Sequence, residues 1–154
     1  MLLIRQLLLN CHIKVSIMNF SKTTSYSLNV LSYMAKHENL RMSARYLHGR
    51  LKIPYPYLRA ILGELSRKRL IEGMKGRNGG FKLSRDKSII FLADIIEATE
   101  GLESFSKCIM GFDKCPFDYG CFMHPIWIKM RADILNVLKK TSLDIMLSGK
   151  ELTY

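Results

Sequence analysis

Apolar residues recur at three- and four-residue steps in several stretches of this chain, and each such stretch predicts a helix. Between Ser21 and His37, Leu28, Leu31, Met34 and Ala35 share one face, which Tyr26, Val30 and Tyr33 widen. Ser43 is a good N-cap for a short second helix, with Tyr46 and Leu47 expected on its buried side and an end near Gly49 or Leu51. A third helix, about Pro54 to Arg69, carries Leu58, Ile61, Leu62 and Leu65 at i, i+3, i+4 and i+7, and Pro54 or Pro56 suits its first turn. Three helices, the last two joined by a short turn and the third basic, predict a helix-turn-helix.

The period then changes. Glu72 to Leu83 reads as two short strands around a Gly/Asn turn, with glycines at 73, 76, 79 and 80. A phosphate-cradling loop is excluded by spacing, because neither a Gly-Lys-Ser/Thr ending nor a GxGxxG register is present. A basic hairpin directly after a helix-turn-helix predicts a wing, with Lys75, Arg77 and Lys82 placing charge near a groove or the DNA backbone. Leu92 to Thr99 is expected as a fourth helix, with Leu92, Ile95 and Ile96 inward, Asp94, Glu97 and Glu100 outward, and Gly101 ending it. From Pro125 onward a long helix is expected, carrying Ile126, Trp127, Met130, Ile134, Val137, Leu138 and Thr141. The alternation of Trp127, Met130, Ile134, Val137 and Thr141 by threes and fours suits packing along a partner helix. A helix-turn-helix that reads paired half-sites needs a two-fold mate, so a homodimer is expected. A small apolar patch, Leu143 to Leu147, precedes the tail.

The expected fold is therefore mainly α: a winged helix-turn-helix with a two-stranded β wing, then a cysteine loop and a long dimerisation helix. Charge supports this division. Residues 18–90 hold fifteen Lys or Arg against four Asp or Glu, whereas residues 91–154 hold seven against nine. The basic excess belongs to the reading head and points to a polyanion such as double-stranded DNA. Residues 18–90 are read as the DNA-binding domain, residues 91–154 as the cluster loop and dimerisation helix. Residues 1–17 are read as a non-native or disordered extension, with Met18 as the natural start. This leucine-rich stretch lacks a small-x-small cleavage pattern, and Asn10 is the wrong residue before Cys11 for a lipoprotein site. No segment reaches the length of a membrane span, and clustered cysteines without an evident disulfide framework suit a reducing cytoplasm.

The chemistry is concentrated between the last two predicted helices. Cys108, Cys115, Cys121 and His124 follow one another with gaps of six, five and two residues, and Gly111, Pro116 and Gly120 favour chain reversals that let them converge. Thiolates are soft, strongly donating ligands, so the set serves an iron–sulfur cluster, and a closed tetrahedral zinc site equally well. Free thiols acting as an oxidation switch form a third option. Catalysis by Cys121 with His124 or His48 as base has no oxyanion-hole or substrate-positioning element beside it. The chain is read as a non-enzyme without a small-molecule substrate.

Tyr26, Ile53-Pro54, Tyr57-Leu58, Ile61-Leu62, Leu70-Ile71, the run Lys75-Gly76-Arg77-Asn78-Gly79-Gly80-Phe81-Lys82-Leu83, the run Ile95 to Gly101 and the three cysteines resemble the Rrf-two family of bacterial winged-helix transcription regulators. The resemblance covers about residues 19–147. It is nearest to the cluster-binding members, the iron–sulfur cluster regulator and the nitric-oxide-sensing repressor. It implies a homodimer carrying an iron–sulfur cluster in each subunit that tunes binding to promoter DNA. Cys108, Cys115 and Cys121 fall on the family's cysteine ligands, and His124 matches the fourth ligand of the Cys3His 2Fe-2S members. That assignment favours 2Fe-2S over 4Fe-4S and an iron–sulfur centre over zinc. The first gap has six residues where the iron–sulfur cluster regulator has five. Tyr55, Tyr57, Arg59 and Ala60 form the expected DNA-facing start of the third helix. Arg59 replaces an acidic base-reading residue of many members and Pro56 a small polar one, so their operator does not carry over.

Overall fold

The computed structural model describes residues 20–110, 112, 117 and 120–149. The predicted extension 1–17, Cys115 and the last five residues lie outside them. Among the described residues six α-helices and one hairpin follow in order: α1 (Lys22–Lys36), α2 (Ala44–Leu51), α3 (Tyr55–Arg67), β1 (Ile71–Met74), β2 (Gly80–Leu83), α4 (Leu92–Thr99), α5 (Met123–Lys140) and α6 (Leu143–Ser148). Among the described residues no helix is long and apolar enough to cross a membrane.

Local chemistry explains the starts and stops of the reading head. The hydroxyls of Ser21 and Ser43 accept the Thr24 and Tyr46 amides, each at 3.1 Å, which satisfies a free N–H in the first turns of α1 and α2. Lys52 ends α2 in a left-handed conformation at φ 57°. The Pro54 carbonyl starts α3 by accepting the Leu58 amide at 2.9 Å, and Pro56 lies in the first turn, where the absent N–H costs nothing. The four residues predicted to face inward from α3, Leu58, Ile61, Leu62 and Leu65, are all buried. Tyr46 is the exception to the predicted pattern. It is 41% exposed, because an eight-residue helix buries one narrow stripe, which Leu47 fills. Tyr46 instead packs at the surface with Tyr33, through a 3.1 Å hydroxyl contact, and under the Arg50 guanidinium.

The wing is antiparallel, with Ile71 opposite Leu83, Glu72 opposite Lys82, Gly73 opposite Phe81 and Met74 opposite Gly80. A two-stranded hairpin alone is marginal in water. Here Met42, just before α2, pairs with Phe81 through two backbone hydrogen bonds of 2.9 Å and pins the wing to the helix-turn-helix. Gly80 permits this approach. Its φ is +145°, and a Cβ there would lie 2.8 Å from the Met42 backbone.

Two hydrophobic cores meet at α4. Ile95 and Ala98 join the main core with α1, α2, α3, the wing root and Leu143 of α6, while Ala93 and Ile96 join a second core with Phe105 and Leu138. The chain closes on itself after α5: the Leu92 amide donates to Thr141 O (2.9 Å), and the Leu143 amide donates to Ile90 O (2.8 Å). Along α5, Trp127 and Leu138 are buried, Ile134 and Val137 half-buried, and Met130 is 47% exposed. In the single chain, then, the predicted stripe is only partly covered.

Gly80→Ala should lower stability by about 1–3 kcal/mol, because a side chain at that φ is strained and the Met42 backbone blocks it. The measurement is the urea midpoint. Gly49→Ala serves as the contrast: it sits in α2 with open space around its Cβ and should be neutral or stabilise by up to about 1 kcal/mol. Equal losses in the two variants would contradict the pinning of the wing by Met42.

Candidate nucleic-acid interface and metal centre

The basic end of the molecule presents the start of α3 beside the wing. Tyr55, Tyr57, Arg59 and Ala60 are all exposed, as are Lys75 and Arg77 at the hairpin tip. Their surroundings differ. The Tyr55 ring meets His48 edge-on at 5.8 Å, and His48 Nδ1 hydrogen-bonds the Ile53 carbonyl at 2.7 Å, so the helix-turn-helix turn is braced from beneath. The Tyr57 hydroxyl hydrogen-bonds that of Thr23 at 2.5 Å, and its ring meets Tyr26 edge-on at 5.6 Å. Tyr57 is therefore a positioned residue that remains 37% exposed.

Between α3 and the wing runs an open groove of about 480 Å³, lined by Ala44, Arg59, Leu62, Gly63, Ser66, Arg67 and Phe81. Arg67 and Ser66 are additions to the sequence-derived set. Arg67 lies two turns beyond Arg59 on the same helix, and the helical period that revealed the apolar face applies equally to this polar one.

Charge on the wing is uneven. Glu72 pairs with Lys82 at 3.3 Å and with Arg41 at 2.9 Å, and the hydrogen bonds from Lys82 and Arg41 hold its carboxyl below the usual carboxylate range. Because the folded-state pKa is depressed, these pairs are intact above the ordinary carboxylate range and are lost only as pH falls through the lowered value. Lys82 thus spends part of its charge inside the wing. Among the described residues neither Lys75 nor Arg77 pairs with an acidic side chain, so the tip carries the uncompensated charge.

The cysteine loop has a built base. Residues Leu102–Ser106 form a short 3₁₀ turn that drives Phe105 into the second core. The next residue but one, Lys107, accepts a 2.8 Å hydrogen bond at its carbonyl from the indole N–H of Trp127. The chain immediately before Cys108 is thereby tied to the second turn of α5. Cys108 and Cys121 are half-buried free thiols. His124 is exposed in the first turn of α5, where its amide donates to the Cys121 carbonyl at 3.1 Å. The helix thus starts at Met123, before Pro125, and His124 lies on it rather than in the loop.

Cys115 lies outside the described residues, and among those described no three His, Cys, Asp or Glu side chains form a group able to hold an ion. The donors present still fit a thiolate-bound metal centre in kind. Two thiols flank the loop and an imidazole follows one turn later, in the first turn of an eighteen-residue helix.

Comparison with known proteins extends this picture. A family model described as Rrf2, iron-dependent transcriptional regulator, matches residues 20–149. The chain is 28% identical over 138 residues to the HTH-type transcriptional regulator NsrR of Shouchella clausii, covering 88% of this chain and 93% of the relative. Among solved structures, IscR of T. potens superposes with a TM-score of 0.67 at 25% identity, over 86% of this chain and 88% of the other. CymR, the global cysteine regulator of B. subtilis, superposes with a TM-score of 0.69 at 23% identity, over 86% and 98%, and so shares the fold. These relatives are regulators of transcription rather than enzymes. With a family model spanning the reading head, the cysteine loop and α5, the chain belongs to the Rrf2 family of winged-helix transcription regulators.

Proposed function

We propose that this DNA-binding regulator controls its promoters through an iron–sulfur cluster held by Cys108, Cys115, Cys121 and His124. The 2Fe-2S form suits the Cys3His set better than 4Fe-4S. The observation that carries the reading is the Trp127–Lys107 hydrogen bond, which closes the base of a cysteine-rich loop inside a family described as iron-dependent. When bound, such a cluster supplies a centre that nitric oxide, oxidants or iron shortage destroy. The protein's own residues do the rest. Trp127 and Phe105 hold the stem of Cys108 in place, and Cys121 and His124 present donors from the start of α5.

The half-covered stripe of α5, with Ile126 and Met130 exposed, supports a homodimer in which two copies of this helix pack together. Two reading heads then address two half-sites of double-stranded promoter DNA, with Tyr55, Tyr57, Arg59 and Ala60 toward base edges and Lys75, Arg77 and Lys82 toward phosphates or the adjacent groove. A hundredfold change in DNA affinity needs about 2.7 kcal/mol of differential stabilisation, within reach of one ordered loop.

Protein purified without oxygen should be brown and contain iron and acid-labile sulfide. Colourless protein with stoichiometric zinc would instead establish the structural-zinc alternative, and metal-free protein whose DNA binding responds to oxidant would establish the thiol switch. Trp127→Phe should keep the fold but lose the cluster several times faster, read as decay of visible absorption. Unchanged decay would remove the carrying observation.

On DNA, the sequence to use is a duplex recovered by selection from a random pool with the wild-type protein. Lys75→Ala should weaken binding to every duplex and lower the salt slope by about one per contacting subunit. Glu72→Gln should act in the opposite direction, because it releases Lys82 and Arg41 from their shared partner. Salt slopes identical to wild type in both variants would exclude the wing from the DNA.

A further inference from the structure

The first turn of α1 stands between two elements with different tasks. On one side is the end of α4, from which the stem of the cysteine loop departs. Thr24, fully buried, donates its hydroxyl proton to Glu100 Oε1 at 2.8 Å, and the Thr24 and Thr99 hydroxyls lie 2.6 Å apart. The other Glu100 oxygen accepts the Ser21 amide at 3.3 Å. A carboxylate is thus seated on the positive end of a fifteen-residue helix and hydrogen-bonded to its N-cap and to one residue of its first turn. Gly101 follows at φ +77° and begins the stem that runs through Phe105 to Cys108.

On the other side of the same turn is the reading helix. Thr23, the neighbour of Thr24, hydrogen-bonds the Tyr57 hydroxyl at 2.5 Å, and Tyr26 supports the Tyr57 ring. Consecutive residues of one helical turn therefore grip the end of α4, from which the loop stem departs, and the DNA-facing start of α3. A helical turn is stiff, since its backbone hydrogen bonds close over three to four residues. A displacement at Glu100 moves Thr24, and Thr23 moves with it.

We propose that this turn is the joint between the cysteine loop and the reading helix, with Glu100 and Thr24 acting as positioning residues for Tyr57. Neither of the two faces DNA in this arrangement. They act on binding by setting where Tyr57 stands. A shift of the stem that leaves Glu100 reaches the first turn of α1, which passes it to α3. The mechanical part of the proposal stands without any cluster; its regulatory part rests on the reading given under Proposed function.

The test uses full-length protein and the selected duplex. In metal-free protein, Thr24→Val and Glu100→Gln should each lower specific affinity about fivefold or more, with non-specific affinity and salt slope unchanged. Thr24→Ser, which keeps the hydroxyl, should restore wild-type affinity. Thr24→Val combined with Tyr57→Phe should bind no worse than Tyr57→Phe alone, because both changes cut one link. Losses that add, or Glu100→Gln with full specific affinity, would overturn the joint. The glutamine variant differs by one exposed charge and keeps the outcome decisive if Thr24→Val destabilises the fold.

In cluster-loaded protein, the ratio of loaded to unloaded DNA affinity should fall toward one in Thr24→Val and Glu100→Gln while the visible spectrum stays that of wild type. A ratio kept at its wild-type value in these variants would overturn the regulatory part. A wild-type ratio of one with cluster bound would count against cluster control itself, leaving the joint to be decided by the metal-free measurements.

Discussion

The two-sided burial of α4 is the constraint on which the rest of the architecture depends. An eight-residue helix has room for two apolar faces only if it is covered on both sides, and α4 is. Ile95 and Ala98 seal the reading head, while Ala93 and Ile96 seal the small core beneath the cysteine loop. Burying side chains of this size contributes about 1.5–3 kcal/mol each for the larger ones. Neither core can be lost without exposing a face of the same helix. The reading head and the loop base therefore share one stability, although their charges and chemistry differ.

From this follows a division of labour along the chain. Basic residues concentrate in the reading head, and the pairs that Glu72 makes with Lys82 and Arg41 set how much wing charge remains available. Soft donors concentrate where the backbone is released from α4 and recaptured by α5. The Trp127–Lys107 hydrogen bond marks that recapture. It joins residues twenty positions apart and fixes the base of the loop before any metal is considered. The metal centre proposed at this place would have leverage, because α4, from which the loop departs, also belongs to the main core.

The fold was legible in the sequence to the extent that local rules govern it. Ser21 and Ser43 as caps, the Leu58, Ile61, Leu62, Leu65 stripe and the glycine-rich hairpin each state their structure within a few residues, and the helices and strands stand where those signals place them. Tyr46 misled because a short helix with two adjacent large residues does not say which of them faces inward; the surface contacts with Tyr33 and Arg50 decide it. The start of α5 misled by two residues, since proline marks a first turn without marking its first position.

By itself the sequence determined the order of elements, the segregation of charge, and the set of thiol and imidazole donors, because spacing and side-chain chemistry are properties of neighbours. Tertiary structure alone decided that Met42 would pin the wing, that Trp127 would hold the residue before Cys108, and that Glu100 and Tyr57 would grip one turn of α1. Each joins residues eighteen or more positions apart. Such pairings leave no periodic trace: they depend on how two cores stack on α4, which only the packed chain specifies.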